Sequence, residues 1–236
     1  MERASLATYI DHTLLKADAN RTQIEQLCQE AREHQFYSVC VNGIWVRACQ
    51  ELLQGTDVKI AAVCGFPLGA NATAAKAFEA ARAVEDGAEE IDMVLQIGPL
   101  LAGDYSLVEQ DIAAVVKMTE GKAIVKVIFE TGMLSDEQKV TACKLSEAAG
   151  AHYVKTSTGF GAGGATEADI KLMRASVSPS IGVKASGGVR DYATAVKMIE
   201  AGATRIGTSS GVQIVSGDAS RPAGSTAEGQ QPNSQY

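Results

Sequence analysis

The chain has 236 residues, of which 46% are hydrophobic and 21% charged, and a formal net charge of −7. That balance argues against a nucleic-acid surface, which needs basic stripes, and no apolar run is long enough to cross a bilayer. The first residues, MERASLATYIDHTLLK, carry charges where an export signal needs an apolar stretch. Five scattered cysteines (Cys28, Cys40, Cys49, Cys64, Cys143) form no C-x-x-C pair, so a reduced, cytoplasmic protein that uses them for core packing is expected.

The stretch from Thr8 to Leu15 contains YIDHTLL, a short apolar piece carrying Asp11 and His12. Asn20 or Thr22 can cap a helix with Ile24, Leu27, Cys28 and Ala31 on its apolar face. Strands are expected at Tyr37–Asn42, Val58–Pro67, Glu89–Gly98, Lys122–Gly132, around Tyr153–Lys155, at Ile181–Gly188 and at Thr204–Gly211. Helices are expected between them, at Ile44–Leu53, Thr73–Glu85, Tyr105–Thr119, Glu137–Ala149 (with Ser135 before it), Glu167–Ala175 and Tyr192–Glu200. Counting YIDHTLL as the first strand gives eight strands alternating with helices. An open doubly wound sheet is the rival, but eight units in this length fit an α/β fold of the (β/α)8 TIM-barrel type. The barrel is assigned to residues 1–215. The remaining SGDASRPAGSTAEGQQPNSQY is rich in Gly, Ser, Pro and Gln and reads as a flexible tail, 216–236.

One pattern recurs three times. A helical run ends at Gly-Ala, a strand follows, and a distinctive residue stands five positions after the glycine: Gly87 and Asp92, Gly150 and Lys155, Gly202 and Gly207. A helix closed by glycine and followed by a buried parallel strand explains the outline. It places Asp92, Lys155 and Gly207 at equivalent heights on three strands.

Barrels of this kind put their chemistry at the carboxyl ends of the strands. Ionisable residues interrupt apolar strand runs at Asp92 (IDMVL), Lys126 (IVKVI), Lys155 (YVKTS) and Lys184 (GVKAS), with Asp11 in the first run. A lysine among apolar neighbours and beside a second cation loses its proton readily, and its free amine can form an imine with a carbonyl. Lys155 and Lys184 on successive strands fit that arrangement, with Asp92 as proton donor and acceptor. The plain structural alternative is a salt-bridge network, and both can hold at once. The glycine- and hydroxyl-rich ends of the last two strands, Ala185-Ser186-Gly187-Gly188 and Gly207-Thr208-Ser209-Ser210, suit a phosphate.

Assembled, these motifs resemble the family of deoxyribose-phosphate aldolases. The likeness is carried by YIDHTLLKADA, EIDMVLQIG, KVIFETG, VKTSTGFGAGGAT, VKASGGVR and RIGTSSG, in order, over residues 5 to 215. The resemblance implies a metal-free, cofactor-free lyase that cleaves 2-deoxy-D-ribose 5-phosphate reversibly to D-glyceraldehyde 3-phosphate and acetaldehyde in deoxyribonucleotide catabolism. It makes Lys155 the imine-forming lysine, Lys184 the cation that lowers its pKa and Asp92 the acid/base. It gives Lys126, Asp11 and Thr158 supporting places, and the phosphate to Gly159, Gly187, Gly188, Ser209 and Ser210. Some relatives carry a lysine where this chain has Phe160. Cys40 matches a cysteine near the mouth in some relatives and is read here as core-facing. The resemblance further implies a homodimer, sugar-phosphate and aldehyde partners with no nucleic acid or membrane, and a C-terminal Tyr236 that docks into the site and assists proton transfer. The other readings are a phosphate-binding barrel isomerase or a different class I aldolase, neither expected to combine Asp92 with the pair Lys155 and Lys184, and a barrel that binds sugar phosphate without chemistry, which has no use for a buried amine pair.

Overall fold

In the computed structural model, which describes residues 3–217, eight parallel strands close into a barrel in the order of the sequence. The strands are β1 (Ile10–Leu14), β2 (Ser38–Val41), β3 (Lys59–Cys64), β4 (Glu90–Val94), β5 (Ile124–Ile128), β6 (Tyr153–Lys155), β7 (Gly182–Ser186) and β8 (Arg205–Thr208). The helices are α1 (Arg3–Ala7), α2 (Arg21–His34), α3 (Val46–Leu52), α4 (Thr73–Glu85), α5 (Ile97–Ala102), α6 (Tyr105–Thr119), α7 (Asp136–Ala148), α8 (Glu167–Ser176), α9 (Tyr192–Glu200) and α10 (Gly211–Ser216). The expected TIM barrel is therefore the fold. Three short helices, α1, α5 and α10, were not expected, and α10 runs one residue into the stretch read as tail. The strands are shorter than expected because their ends turn into loops that leave the ladder. Asn20, not Thr22, caps α2: its side chain accepts from the Gln23 N–H at 3.1 Å, and the Gln23 side chain accepts from the Asn20 N–H at 3.0 Å. Ser135 and Gln138 repeat this reciprocal cap on α7, which satisfies backbone donors that a helix start leaves unpaired.

Side chains alternate across each strand. The outward set, including Ile10, Val39, Val41, Ile60, Ile91, Met93, Val125, Val127, Val154, Val183 and Ile206, is buried with helix residues such as Ile24, Leu27, Val108, Ile112, Ile170 and Met198. The main core is thus the shell between barrel and helices. A buried cation also lies in that shell: Lys76 on α4 donates to the Val94 carbonyl at 2.9 Å and to Asp111 on α6 at 2.7 Å.

The inward set stacks in layers. Hydrogen-bonded partners run Cys40 to Ala61 to Glu90, then Asp92 to Lys126 to Tyr153, then Lys155 to Lys184 to Arg205, then Gly207 to Asp11 to Ser38. Strands of an eight-stranded barrel tilt so that equal height advances by about one residue per strand. Cys40, Asp92, Lys155 and Gly207 therefore form one layer from the even strands, as the repeated glycine spacing implied. Asp11, Ala61, Lys126 and Lys184 form the odd-strand layer beneath it, and Ser38, Glu90, Tyr153 and Arg205 the layer below that. Such layers are ordinarily filled by Val, Ile and Leu. Here they are filled mostly by charge.

Candidate active site

Each charge in these layers is placed by its strand and answered by another. Asp92 is fully buried and meets three lysine Nζ atoms: Lys126 on Oδ1 at 2.7 Å, and Lys155 and Lys184 on Oδ2, each at 2.7 Å. Lys184 also bonds Asp11, and Lys126 also meets Glu90 at 2.5 Å. Arg205 closes the base of the cluster, donating to Asp11 at 2.8 Å and Glu90 at 3.1 Å, with its guanidinium 3.4 Å above the Tyr37 ring. Burying charges at this density is tolerated only when they compensate one another. The cluster holds three carboxylates (Asp11, Glu90, Asp92) against four bases (Lys126, Lys155, Lys184, Arg205). It balances when one base is neutral.

The geometry selects that base. Burial pushes the Lys155 amine below its ordinary range, Asp92 opposes this, and the Lys184 cation adds to the lowering. Burial acts on Lys184 in the same sense, but Asp11 and Asp92 together outweigh it and hold Lys184 protonated well above the ordinary range. Lys126 is likewise raised, its burial offset by Asp92 and Glu90. Burial works to protonate Asp92, yet Lys126, Lys155 and Lys184 outweigh it, and the carboxylate is held well below its usual range. Asp11 behaves the same way under Lys184, Arg205 and Lys126. Two neighbouring lysines are thus driven apart, one toward the free amine and one toward a fixed cation. Such a separation is what a nucleophilic amine beside an electrostatic partner requires.

Lys155, Lys184, Asp92, Lys126 and Asp11 meet in one cluster. Thr158 does not join it: its hydroxyl donates to Glu130 in the loop after β5, because past Lys155 the chain leaves the barrel axis. Gly159, Gly187 and Gly188 all adopt left-handed φ (85°, 86° and 79°), and no atom outside the adjoining chain lies within 4 Å of where a side chain would start at Gly159 or Gly188. Ser209 is exposed, and Ser210 is buried with its N–H donating to Thr208 Oγ1 at 2.9 Å. Tyr236 lies outside the described residues. Cys40 is buried but not in the shell core. It stands inside the barrel with Leu15, Ala61 and Val63, its Sγ 3.9 Å from Asp92 Oδ2, because β2 turns alternate side chains inward and Cys40 has the inward parity. Burial and the Asp92 charge raise its thiol pKa, so it is a packing thiol at the edge of the site. Phe160 is exposed and meets Phe66 edge-to-face, with ring centroids 5.4 Å apart.

Glu90 and Arg205 belong to the cluster and were missed in the sequence. Each lies two residues before an expected layer position, Asp92 and Gly207, so strand parity alone puts them on the same inner face.

A TIM barrel whose burial and interior charges shift one buried lysine toward the free amine has the equipment of a carbonyl-condensing lyase. The sequence matches the DeoC/LacD family aldolases over residues 5–217, and the chain belongs to that family. It is 61% identical over 213 residues to a deoxyribose-phosphate aldolase of Geobacillus sp. (strain WCH70), covering 90% of this chain and 96% of the relative. It is 62% identical over 209 residues to the enzyme of the same name from Brevibacillus brevis, covering 89% and 94%. Among solved structures, the tetrameric deoxyribose phosphate aldolase from Aeropyrum pernix superposes with a TM-score of 0.85 at 33% identity, covering 91% of each chain. No helix among the described residues is long and apolar enough to cross a membrane.

Proposed function

We infer that this protein is an aldolase that cleaves 2-deoxy-D-ribose 5-phosphate reversibly to D-glyceraldehyde 3-phosphate and acetaldehyde through an imine on Lys155. The observation that carries the reading is the split lysine pair: Lys155 below its ordinary range, Lys184 above it, with one Asp92 oxygen between them. The Lys155 amine adds to C1 of the open-chain sugar and loses water to give the protonated imine. The proton of the C3 hydroxyl is removed, the C2–C3 bond breaks, and its electrons flow into the imine as glyceraldehyde phosphate leaves. The resulting enamine takes a proton at C2, and water returns to release acetaldehyde and the free amine. The protonated imine is the electron sink, so the reading needs no metal or cofactor.

Asp92 is assigned the proton shuttling. In the resting site the Lys126 and Lys184 cations keep it charged; once Lys155 enters the imine, its third partner changes and Asp92 can take a proton and pass it on. Lys184 stays charged throughout and disfavours protonation of Lys155. The phosphate is assigned to the turns at Gly159, Gly187 and Gly188 with Ser209 and Ser210, where left-handed backbone lets amides approach an anion. Docking of Tyr236 at the enamine carbon, assembly as a homodimer and a cytoplasmic location complete the proposal. Deleting Tyr236 and following exchange of the C2 proton tests the first of these, and light scattering in solution tests the second.

The function is tested by incubating the protein with 2-deoxyribose 5-phosphate and measuring acetaldehyde released. Stoichiometric acetaldehyde and glyceraldehyde phosphate, abolished by Lys155→Ala, are expected. An intact wild-type chain that isomerises the sugar phosphate without cleaving it would overturn the reading.

A further inference from the structure

The loop after β5 carries a buried acid that the reaction as written does not use. Glu130 is 4% exposed and adopts left-handed backbone (φ 57°, ψ 61°) without being glycine. Side chains rarely occupy that region, and where they do the surrounding structure must enforce it, most often at functional sites. What enforces it is the loop after β6. Glu130 Oε2 accepts the Thr158 hydroxyl and, at 3.3 Å, the Thr158 N–H. Thr158 Oγ1 in turn accepts the Phe160 N–H at 3.0 Å. The turn from Thr158 to Phe160, with Gly159 at φ 85°, is therefore held at its first residue by one carboxylate and closed at its far end on the hydroxyl that this carboxylate orients.

Two further contacts show that the loop is folded directly on this acid. A methyl group at Gly161 would lie 2.8 Å from Glu130 Cδ, and one at Gly132 would lie 3.2 Å from the Gly163 backbone. The Thr131 N–H donates to the Thr156 carbonyl at 3.0 Å. The same loop is sewn on its other side to β7: Ser186 Oγ donates to the Ser157 carbonyl at 2.7 Å, and the Ala165 N–H to the Gly187 carbonyl at 2.9 Å. Glu130 forms no ion pair among the described residues and stands outside the Asp11–Asp92 cluster. Its influence runs through Thr158 to Gly159 and, through the loop, to Gly187.

We propose that Glu130 is a positioning residue for the phosphate end of the substrate: it sets the Thr158–Phe160 turn and so the preference for a phosphorylated over a non-phosphorylated sugar. The proposal rests on the function inferred above. It separates two halves of the site. Imine formation belongs to Lys155 and its charges; recognition of the phosphate belongs to a turn whose shape depends on one hydrogen-bonded acid.

The test compares kcat/KM for 2-deoxyribose 5-phosphate with that for 2-deoxyribose, in wild type, Glu130→Gln, Thr158→Val and the double variant. Weakening the hydrogen bond to Glu130 (Glu130→Gln) or removing its hydroxyl donor (Thr158→Val) is expected to lower the ratio, about tenfold in Thr158→Val, mainly through KM of the phosphorylated sugar. Borohydride trapping of acetaldehyde on Lys155 reports the chemistry separately and is expected to change by less than about twofold. Because both residues act through one bond, the double variant should be no worse than the worse single one. Glu130→Asp, which keeps a carboxyl acceptor, should recover part of the ratio. If Glu130→Gln folds poorly, Thr158→Val alone carries the comparison. An unchanged ratio, an equal loss on both sugars, or additive effects in the double variant would each overturn the proposal. Absence of cleavage by the wild-type chain would instead count against the function itself.

Discussion

Lys155 and Lys184 carry the same functional group in neighbouring layers of one barrel, and the number of carboxylates each faces decides their chemistry. Lys184 meets Asp11 and Asp92; Lys155 meets Asp92 alone and shares it. The free amine needed for imine formation should therefore appear as pH rises through the lowered Lys155 pKa, giving kcat/KM an ascending limb below the ordinary lysine range. Replacing Lys184 with Met removes the cation that disfavours protonation of Lys155 and leaves Asp92, which favours it. Lys155 then titrates higher, the ascending limb moves to higher pH, and kcat/KM at neutral pH falls by up to about tenfold for each unit of the move. A pH profile that drops in height without moving would show that Lys184 acts in some other way. The five residues that meet were legible because a charge inside an apolar strand run has to be answered by another. Glu90 and Arg205 were less so, since they stand at strand starts beside Glu89 and Thr204, where a charge needs no explanation. The place of Thr158 was illegible for a different reason: strand parity ends at Lys155, and nothing local tells a loop hydroxyl which neighbouring loop it will meet.

At the scale of elements, regular strand and helix were readable because both periods were strongly written. Thr73–Glu85, Tyr105–Thr119 and Tyr192–Glu200 have the limits expected from their patterns and caps. The missed helices are short and locally ambiguous. IGPLLA in α5 contains Gly and Pro, poor helix formers, and GVQIVS in α10 follows directly on β8 with β-branched residues that favour a strand. Tilt and layering follow from closure, and they make Gly207 informative. It occupies the fourth place in the layer of Cys40, Asp92 and Lys155, and leaves that quadrant without a side chain. A methyl group there would lie 3.0 Å from Lys184 Cε and 3.0 Å from Ser186 Cβ. Gly207→Ala is expected to displace Lys184 and lower kcat by roughly tenfold or more, since small misplacements at reacting groups are costly. The cost in stability should stay near 1–3 kcal/mol, the range for overpacking. Steady-state kinetics beside a urea melt checks both, and an Ala variant with unchanged kcat would refute the claim that the missing side chain at Gly207 is what lets Lys184 keep its place.

For the whole molecule, the barrel interior is an ion cluster rather than an apolar plug, so its stability is tied to pH. Asp11 and Asp92 have folded pKa values below their unfolded ones. Their contribution is fully present above about pH 4 and is lost as pH falls toward the folded values. Lys184 is raised, so its contribution is present below its unfolded pKa and lost only in strong alkali. Asp11→Asn leaves Lys184 and Arg205 short of a buried partner and is expected to cost about 3–5 kcal/mol at neutral pH. It should also flatten the dependence of stability on acid below about pH 4. Urea unfolding at a series of pH values measures both; an equally steep acid limb in the variant would mean that other groups govern it. The shell core between barrel and helices holds the fold together, while the interior, charged and balanced, is given over to one amine. The most direct test of that claim is to mix the protein with acetaldehyde, reduce with borohydride and map the product by mass spectrometry. A single reduced adduct on Lys155, absent when the reductant is omitted, is the predicted result. A folded protein that yields no adduct, or one that carries it on Lys184 or Lys126, would contradict the account.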